Sequence, residues 1–491
     1  MKKEIPPFIE KPAAITSAKE TREYDVVVIG AGSPGVPCAL AAREAGATVA
    51  LLQKEAEASA CGNAGAGLEL SGSEPADVEA LISFLMVSSA HRPKRDLLEV
   101  WARNSGLAVK WLIEKARAAG AQVSDAGNAA QASFLKDTGY RINFVTSIFG
   151  PKPYDAGEAM KALCKLATKE GVEVFFNTPA RQLVIENGRV TGVMAEGAEG
   201  HVRFRARKAV VVGTGDYQND EAMLRHYLPD MVNFERKKSG RTGDGHKMIA
   251  WAGGKIENAG HTKMAHDFDS GPPSMCSMPF LRVKWNGRRF CDETVGMELM
   301  NCYLLSEADQ GHYCQIFDSS YMTKAAGWPG GLVSPDEMKN YMPEEKAERK
   351  GVVESLINTY KADSLEELAA KLTITDAAVF TATVKRYNEM AASGKDTEFG
   401  VPSKYLKTID TPPYYGIHRH IRLTEACSGV EVNGEHQCLD ERGQPIEGLY
   451  AIGNCAGNFY GGIDYPLDIF GLNLGHNYTA GYVVGKKVAA M

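Results

Sequence analysis

The stretch Phe459–His476, FYGGIDYPLDIFGLNLGH, combines tyrosine, flexible glycines and apolar side chains, and it contains no lysine or arginine. A wall of that composition suits an uncharged substrate and gives an anion nothing to pair with. A second set of residues speaks to a different ligand. Gly30, Gly32 and Gly35 stand in GxGxxG spacing. Glycines so placed permit a tight turn and close approach of the backbone to a dinucleotide pyrophosphate, which then sits at the free N–H groups of a helix N-terminus.

These residues need a strand before them and a helix after. Val26–Ile29 form an unbroken β-branched run, as a strand buried on both faces requires, and the segment from Val36 to Ala45 reads as helix. A second strand, ATVALL, ends at Gln53, where the fingerprint wants a group to hydrogen-bond a ribose. An acid is more usual there, but Gln53 can donate and accept, and Glu55 is close by. Two later strands also run into glycine turns: ARKAVVVGTGDYQND ends in Gly213, Thr214 and Gly215, and IEGLYAIGNCAGNFYGG carries Gly453 and Asn454. Residues 155–212 read as a helix followed by strands, with a hairpin at Asn187–Gly188. Between 259 and 425 the pattern shifts to helical blocks such as SLEELAAKL and closes at the proline-rich TPPYYGIHRH.

The chain has 491 residues, 44% of them hydrophobic, enough for a sizeable core in two or three domains. Its 55 basic residues against 61 acidic ones give a net charge of -6 with no basic stripe, which excludes nucleic acid as a partner class. The first 25 residues lack the apolar core of a secretory signal, and no later run approaches the roughly 18 apolar residues of a membrane span. The expectation is a cytoplasmic protein with an extended tail over residues 1–23. Ten cysteines include no CxxC pair, so no metal site is expected. Cys276, Cys291, Cys302 and Cys314 share one stretch without the tight spacing of an iron–sulfur cluster.

Taken in order, the GxGxxG fingerprint, the Gly213-Thr214-Gly215 strand end, the TGDG turn holding Asp244, the NGRRFCDE element (Asn286–Glu293) and the GLYAIGN strand resemble the flavoproteins that include soluble fumarate reductases and 3-ketosteroid dehydrogenases. The resemblance spans nearly the whole chain. It implies an α/β fold: a Rossmann-like FAD-binding domain over 24–258 and 426–491, an inserted α+β cap over 259–425, and an active site between cap and flavin. It also implies FAD as cofactor. The segment ACGNAGAGLELSG (Ala60–Gly72) replaces the histidine-bearing attachment segment of some relatives, so the FAD is expected to be non-covalent, with Gly65 and Gly67 beside its ring system.

Comparison with the family position by position implies the reaction. The proton-donating arginine of the fumarate reductases falls at Met297, a carboxylate-clamping histidine at Glu425, and a clamping arginine near Asp468. Three cation-assisted positions are lost, which disfavours dicarboxylates. The ketosteroid dehydrogenases bind their ketone by a tyrosine hydroxyl and a glycine N–H; Tyr465 and, after a two-residue insertion, Gly471 match these. Such donors stabilise an enolate, the form that lets hydride pass between a β-carbon and flavin N5. For the proton, Glu425 ranks first and His266 second, ahead of Glu298 and Tyr303. The expected function is reduction of an activated C=C bond, of an enone or other α,β-unsaturated carbonyl compound. The reverse, ketosteroid-type dehydrogenation, and an electron-transfer subunit are the alternatives. An external donor or acceptor (reduced flavin, NAD(P)H or a redox protein) would complete the cycle.

Overall fold

The structure is a computed structural model that describes residues 6–130, 138–237, 239–328, 330–462 and 464–491. It divides into two compact units, one of Met1–Pro229, Lys238–Met264 and Glu425–Met491, the other of Asp230–Lys237 and Ala265–Thr424. Asp230–Lys237 join the second unit, where Arg236 bridges Leu423. No helix among the described residues is long and apolar enough to cross a membrane.

The first unit is a Rossmann-like α/β layer structure. Its sheet is centred on Glu20–Ile29, which pairs in parallel with Val49–Leu52 on one edge and Gly200–Val212 on the other. Val26, Val27 and Val28 are fully buried, which is why this strand is β-branched at every position rather than alternating. Pro445–Ala451 adds a further parallel strand beside Gly200–Val212. On the far side of Gly200–Val212, Arg189–Gly197 and Ala180–Glu186 form a hairpin whose turn residues Asn187 and Gly188 have φ of 51° and 80°, as a primed two-residue turn demands.

Two helices close one face of the sheet: Gly35–Glu44, and the C-terminal Leu472–Ala490. Gly481 and Gly485 lie one turn apart on the latter. A Cβ at Gly481 would run into the Pro34 carbonyl oxygen, and one at Gly485 into that of Cys38. The two backbones therefore touch, and larger residues would hold the helices apart. A small antiparallel sheet of Ala64–Glu69, Asn143–Phe149 and Val123–Asp125 packs on the long helix Arg95–Ala118.

The second unit is α+β. Its four-stranded antiparallel sheet runs in the order Leu281–Val283, His312–Asp318, Tyr414–His420, Thr359–Ala362. The helices Leu365–Lys371 and Ala377–Ser393 pack against it through Leu368, Phe380 and Val384. Asp376 caps the second helix at the Val379 N–H, and Gly394 ends it at φ 69°. Arg289 and Glu293 of the NGRRFCDE element pair at 2.6 Å, and Arg289 reaches Asp396 at 2.8 Å while lying over the rings of Tyr387 and Phe399. Both residues are buried, so this clasp braces the unit.

Candidate active site

A cleft opens in the first unit, lined by the glycine turns that end its central strands. Gly30 and Gly32 form its floor with Gly213, Thr214 and Gly215 opposite. Gly30 has φ 103°, and a Cβ there would collide with the Gly213 carbonyl. Gly35 lies behind the lining, where a Cβ would strike the Gly30 carbonyl oxygen: it lets the helix seat against the turn. That helix follows Pro34 with no side-chain cap; Val36 already donates to the Gly32 carbonyl at 3.1 Å and Pro37 carries no N–H, so of the first turn at most the Gly35 N–H is left for an anion. Asn477 lines the same space and carries a buried carbonyl oxygen with no hydrogen-bond partner among the described residues. Glycine floor, uncapped helix and unmet polar atom fit a dinucleotide.

One wall of the cleft is a ladder of amides. Glu425 accepts from Asn454 Nδ2 at 2.9 Å, Asn454 Oδ1 accepts from Asn473 Nδ2 at 2.8 Å, and Asn477 Nδ2 reaches Asn473 Oδ1 at 3.2 Å and Ser33 Oγ at 3.1 Å. At the Glu425 end stands Arg241, which forms an ion pair with Glu425 and a second, at 3.3 Å, with Asp216. The Asp216 carboxyl also accepts from the N–H groups of Gln218 (2.9 Å) and Ala426 (3.0 Å). Burial, with Glu425 alongside, holds Asp216 far above the ordinary carboxylate range, although Arg241 pulls the other way.

Arg241, Asp216 and the asparagines Asn473 and Asn477 escaped the sequence reading. Arg241 stands immediately before the TGDG turn, and Asp216 immediately after Gly213-Thr214-Gly215. A charged residue flanking each glycine turn was the available signal. Glu425, expected as a lone carboxylate able to repel an anion, is instead paired with an arginine from a distant segment.

The remaining expected residues fall as follows. Asp244 lines the cleft but is paired with Lys54 at 2.7 Å, which outweighs burial and keeps its carboxyl below the usual range. Gln53 lines it too, with its amide donating to the Glu57 carbonyl at 3.0 Å. Gly453 lies behind the lining at φ 65°, packed on Pro34. Gly65 and Gly67 do not border the cleft: their missing side chains make room for the Tyr478 ring and the Ser105 backbone. Their lack of a side chain serves packing. His266 belongs to the second unit, with Nδ1 accepting from Phe268 N–H at 3.4 Å and Nε2 against Thr424 Oγ1 at 3.3 Å. Burial lowers its pKa to about 4, so it is neutral at physiological pH and holds no acidic proton to give. The side chains of Met297 and Glu298 lie outside the described residues; Tyr303 is exposed.

Tyr465 and Gly471 differ most from expectation. Gly471, at φ 83°, precedes the C-terminal helix, and its carbonyl accepts from Ala66 and Gly475. The Tyr465 hydroxyl, buried, accepts the N–H of Asn473 at 2.9 Å, in the first turn of that helix. It thus does the work of a helix cap, satisfying a donor the helix cannot satisfy itself. The chain between Phe459 and His476 folds back so that these two rings stack at 3.8 Å. Tyr465→Phe is expected to leave the Asn473 N–H unmet and to lower stability by about 1–2 kcal/mol. Denaturant unfolding checks this; an unchanged midpoint would remove the capping role.

The chain belongs to the FAD binding domain family, which matches residues 25–272 and 308–465. It is a FAD-dependent oxidoreductase. It is 28% identical to a vinyl phenol reductase of Lactiplantibacillus plantarum, over 95% of this chain and 96% of that protein. Among solved structures, the open conformation of a flavocytochrome c3 fumarate reductase aligns with TM-score 0.73 and 25% identity, over 96% of this chain and 78% of that one. A 3-ketosteroid Δ1-dehydrogenase of Sterolibacterium denitrificans has the same fold, with TM-score 0.71 and 20% identity over 95% of this chain and 99% of that one.

Proposed function

We propose that the chain reduces a C=C bond conjugated to an uncharged oxygen function, foremost an α,β-unsaturated ketone. One observation carries this: on the Glu425 side of the cleft the cation, Arg241, is already spent on Glu425 and Asp216. A dicarboxylate entering there would meet no uncommitted positive charge on this wall and would have to displace a buried pair. Bound FAD, held non-covalently over Gly30 and Gly32, supplies the electron pair. Arg241 and Asn454 fix the Glu425 carboxyl, and Asn473 holds Asn454 in turn. A small-molecule substrate and an external redox partner complete the cycle.

A second reading, a vinylphenol, is favoured by the Lactiplantibacillus relative. The two share an electronic class, because a 4-vinylphenol that shifts its phenolic proton to the side chain becomes a quinone methide, an extended enone. The test is anaerobic reoxidation of the dithionite-reduced holoenzyme by an enone, 4-vinylphenol, a cinnamate, urocanate and fumarate. Enones are expected to be fastest and fumarate at least 10²-fold slower, the loss of about 3 kcal/mol that an unpaired anion in a partly buried site brings. Fumarate as the best acceptor would sink the proposal; 4-vinylphenol far ahead of enones would replace the first reading by the second.

A further inference from the structure

We propose that Asp216 and Glu425 hold a single proton between them, fixed in place by Arg241, and that this proton is delivered to the substrate carbon that does not receive the electron pair. The proposal rests on the reading of the chain as a C=C reductase.

The geometry is that of a buried carboxyl pair. Asp216 Oδ2 and Glu425 Oε2 both pair with the same nitrogen, Nη1, of the Arg241 guanidinium. Asp216 is fully buried, whereas Glu425 borders the cleft. Two ionised carboxylates against one arginine would leave a buried net charge of minus one; one shared proton brings the trio to zero. Asn454 donates to Glu425, and the backbone N–H groups of Gln218 and Ala426 donate to Asp216. The other titratable groups facing the trio are Cys61, Cys427, Tyr217 and Tyr460. Burial pushes Cys427 and both tyrosines far up, so they stay neutral and supply no charge to replace the proton.

Glu425 is the face that gives the proton, Asp216 the reserve behind it, and Arg241 the positioning residue. In the step an O–H bond of the pair breaks and a C–H bond forms at the carbon carrying negative charge. The pair is left as two carboxylates against Arg241 and regains its proton from water. His266, neutral and hydrogen-bonded within the second unit, is not needed.

The test is infrared spectroscopy of the holoenzyme at neutral pH, which sees a protonated buried carboxyl directly. Wild type is expected to show its C=O band. Asp216→Asn and Glu425→Gln are each expected to lose it, because the one carboxylate remaining is fully matched by Arg241. Each variant should keep its FAD and its KM and lose kcat about 10²- to 10⁴-fold, the range for a general acid. The stability profile gives an independent reading. A carboxyl raised by folding contributes stability that is complete below the ordinary value of about 4 and fades as pH rises through its folded value. Wild type should therefore lose stability from pH 5 to 9 and Asp216→Asn should not. No band in wild type, or kcat within threefold in both variants, overturns the proposal. If Asp216→Asn fails to fold, the band and kcat of Glu425→Gln decide. Wild type that reduces no alkene at all marks failure of the C=C reading instead.

Discussion

Gly32→Val is expected to give a folded protein that is colourless, and Gly35→Ala, chemically the smaller change, an unstable one. A Cβ at Gly32 would stand 3.2 Å from the Ser59 carbonyl oxygen, a tight contact that a shift of a few tenths of an ångström relieves. The rest of the valine then stands in the cleft, on the floor over which the pyrophosphate would lie. At Gly35 a Cβ meets the Gly30 carbonyl, a backbone atom that cannot turn aside, and the helix must lift off the sheet. Overpacking of this kind costs about 3 kcal/mol. Flavin absorbance per chain and the melting temperature separate the two effects. Full FAD occupancy in Gly32→Val would show that the cofactor lies elsewhere.

Arg241→Met is expected to be the most damaging single surface-to-core charge change in the first unit. It would leave Asp216 and Glu425 facing each other in a buried site with no cation, and breaking a buried pair from one side costs about 3–5 kcal/mol. The loss should be largest at pH 8 and smaller at pH 5.5, where protonation of the carboxyls relieves the repulsion. Adding Glu425→Gln should recover most of it, because Asp216 alone can then stay protonated. Urea unfolding of the single and double variants at both pH values measures this. A single variant as stable as wild type at pH 8 would mean that the trio contributes nothing.

The α/β class and the cofactor were legible because they rest on local signals. Val26–Val28 had to be β-branched on both faces, and Gly30, Gly32 and Gly35 had to be glycine for three separate steric reasons, all within ten residues of chain. Partnerships between distant segments were not legible. Glu425 reads as an isolated acid because the arginine that neutralises it is in another segment, and nothing in either segment announces the pairing. Tyr465 reads as a substrate ligand because it matches the ketone-binding tyrosine of the ketosteroid dehydrogenases. Its hydroxyl goes to a helix N–H eight residues along, a use that leaves no mark on composition. Gly65 and Gly67 mislead in the same way: a glycine shows that something comes close, without showing whether it is a ligand or the neighbouring helix.

The hydrogen bond from Asn477 to Ser33 joins residues 444 positions apart. The glycine floor and the helix it leads into are made first, while Asn477 of the amide ladder and the Gly481–Gly485 seam that covers the helix come more than 440 positions later. At roughly 5–20 residues per second, ribosomes need about 20–90 s to supply the missing wall. Throughout that interval the nascent first unit has an apolar sheet face without its covering helix and a half-built nucleotide groove. The groove is therefore complete only once Asn477 has been made, 444 positions after Ser33. Contacts of such long range also place this unit among slow folders, so the time spent uncovered is set by topology as well as by length.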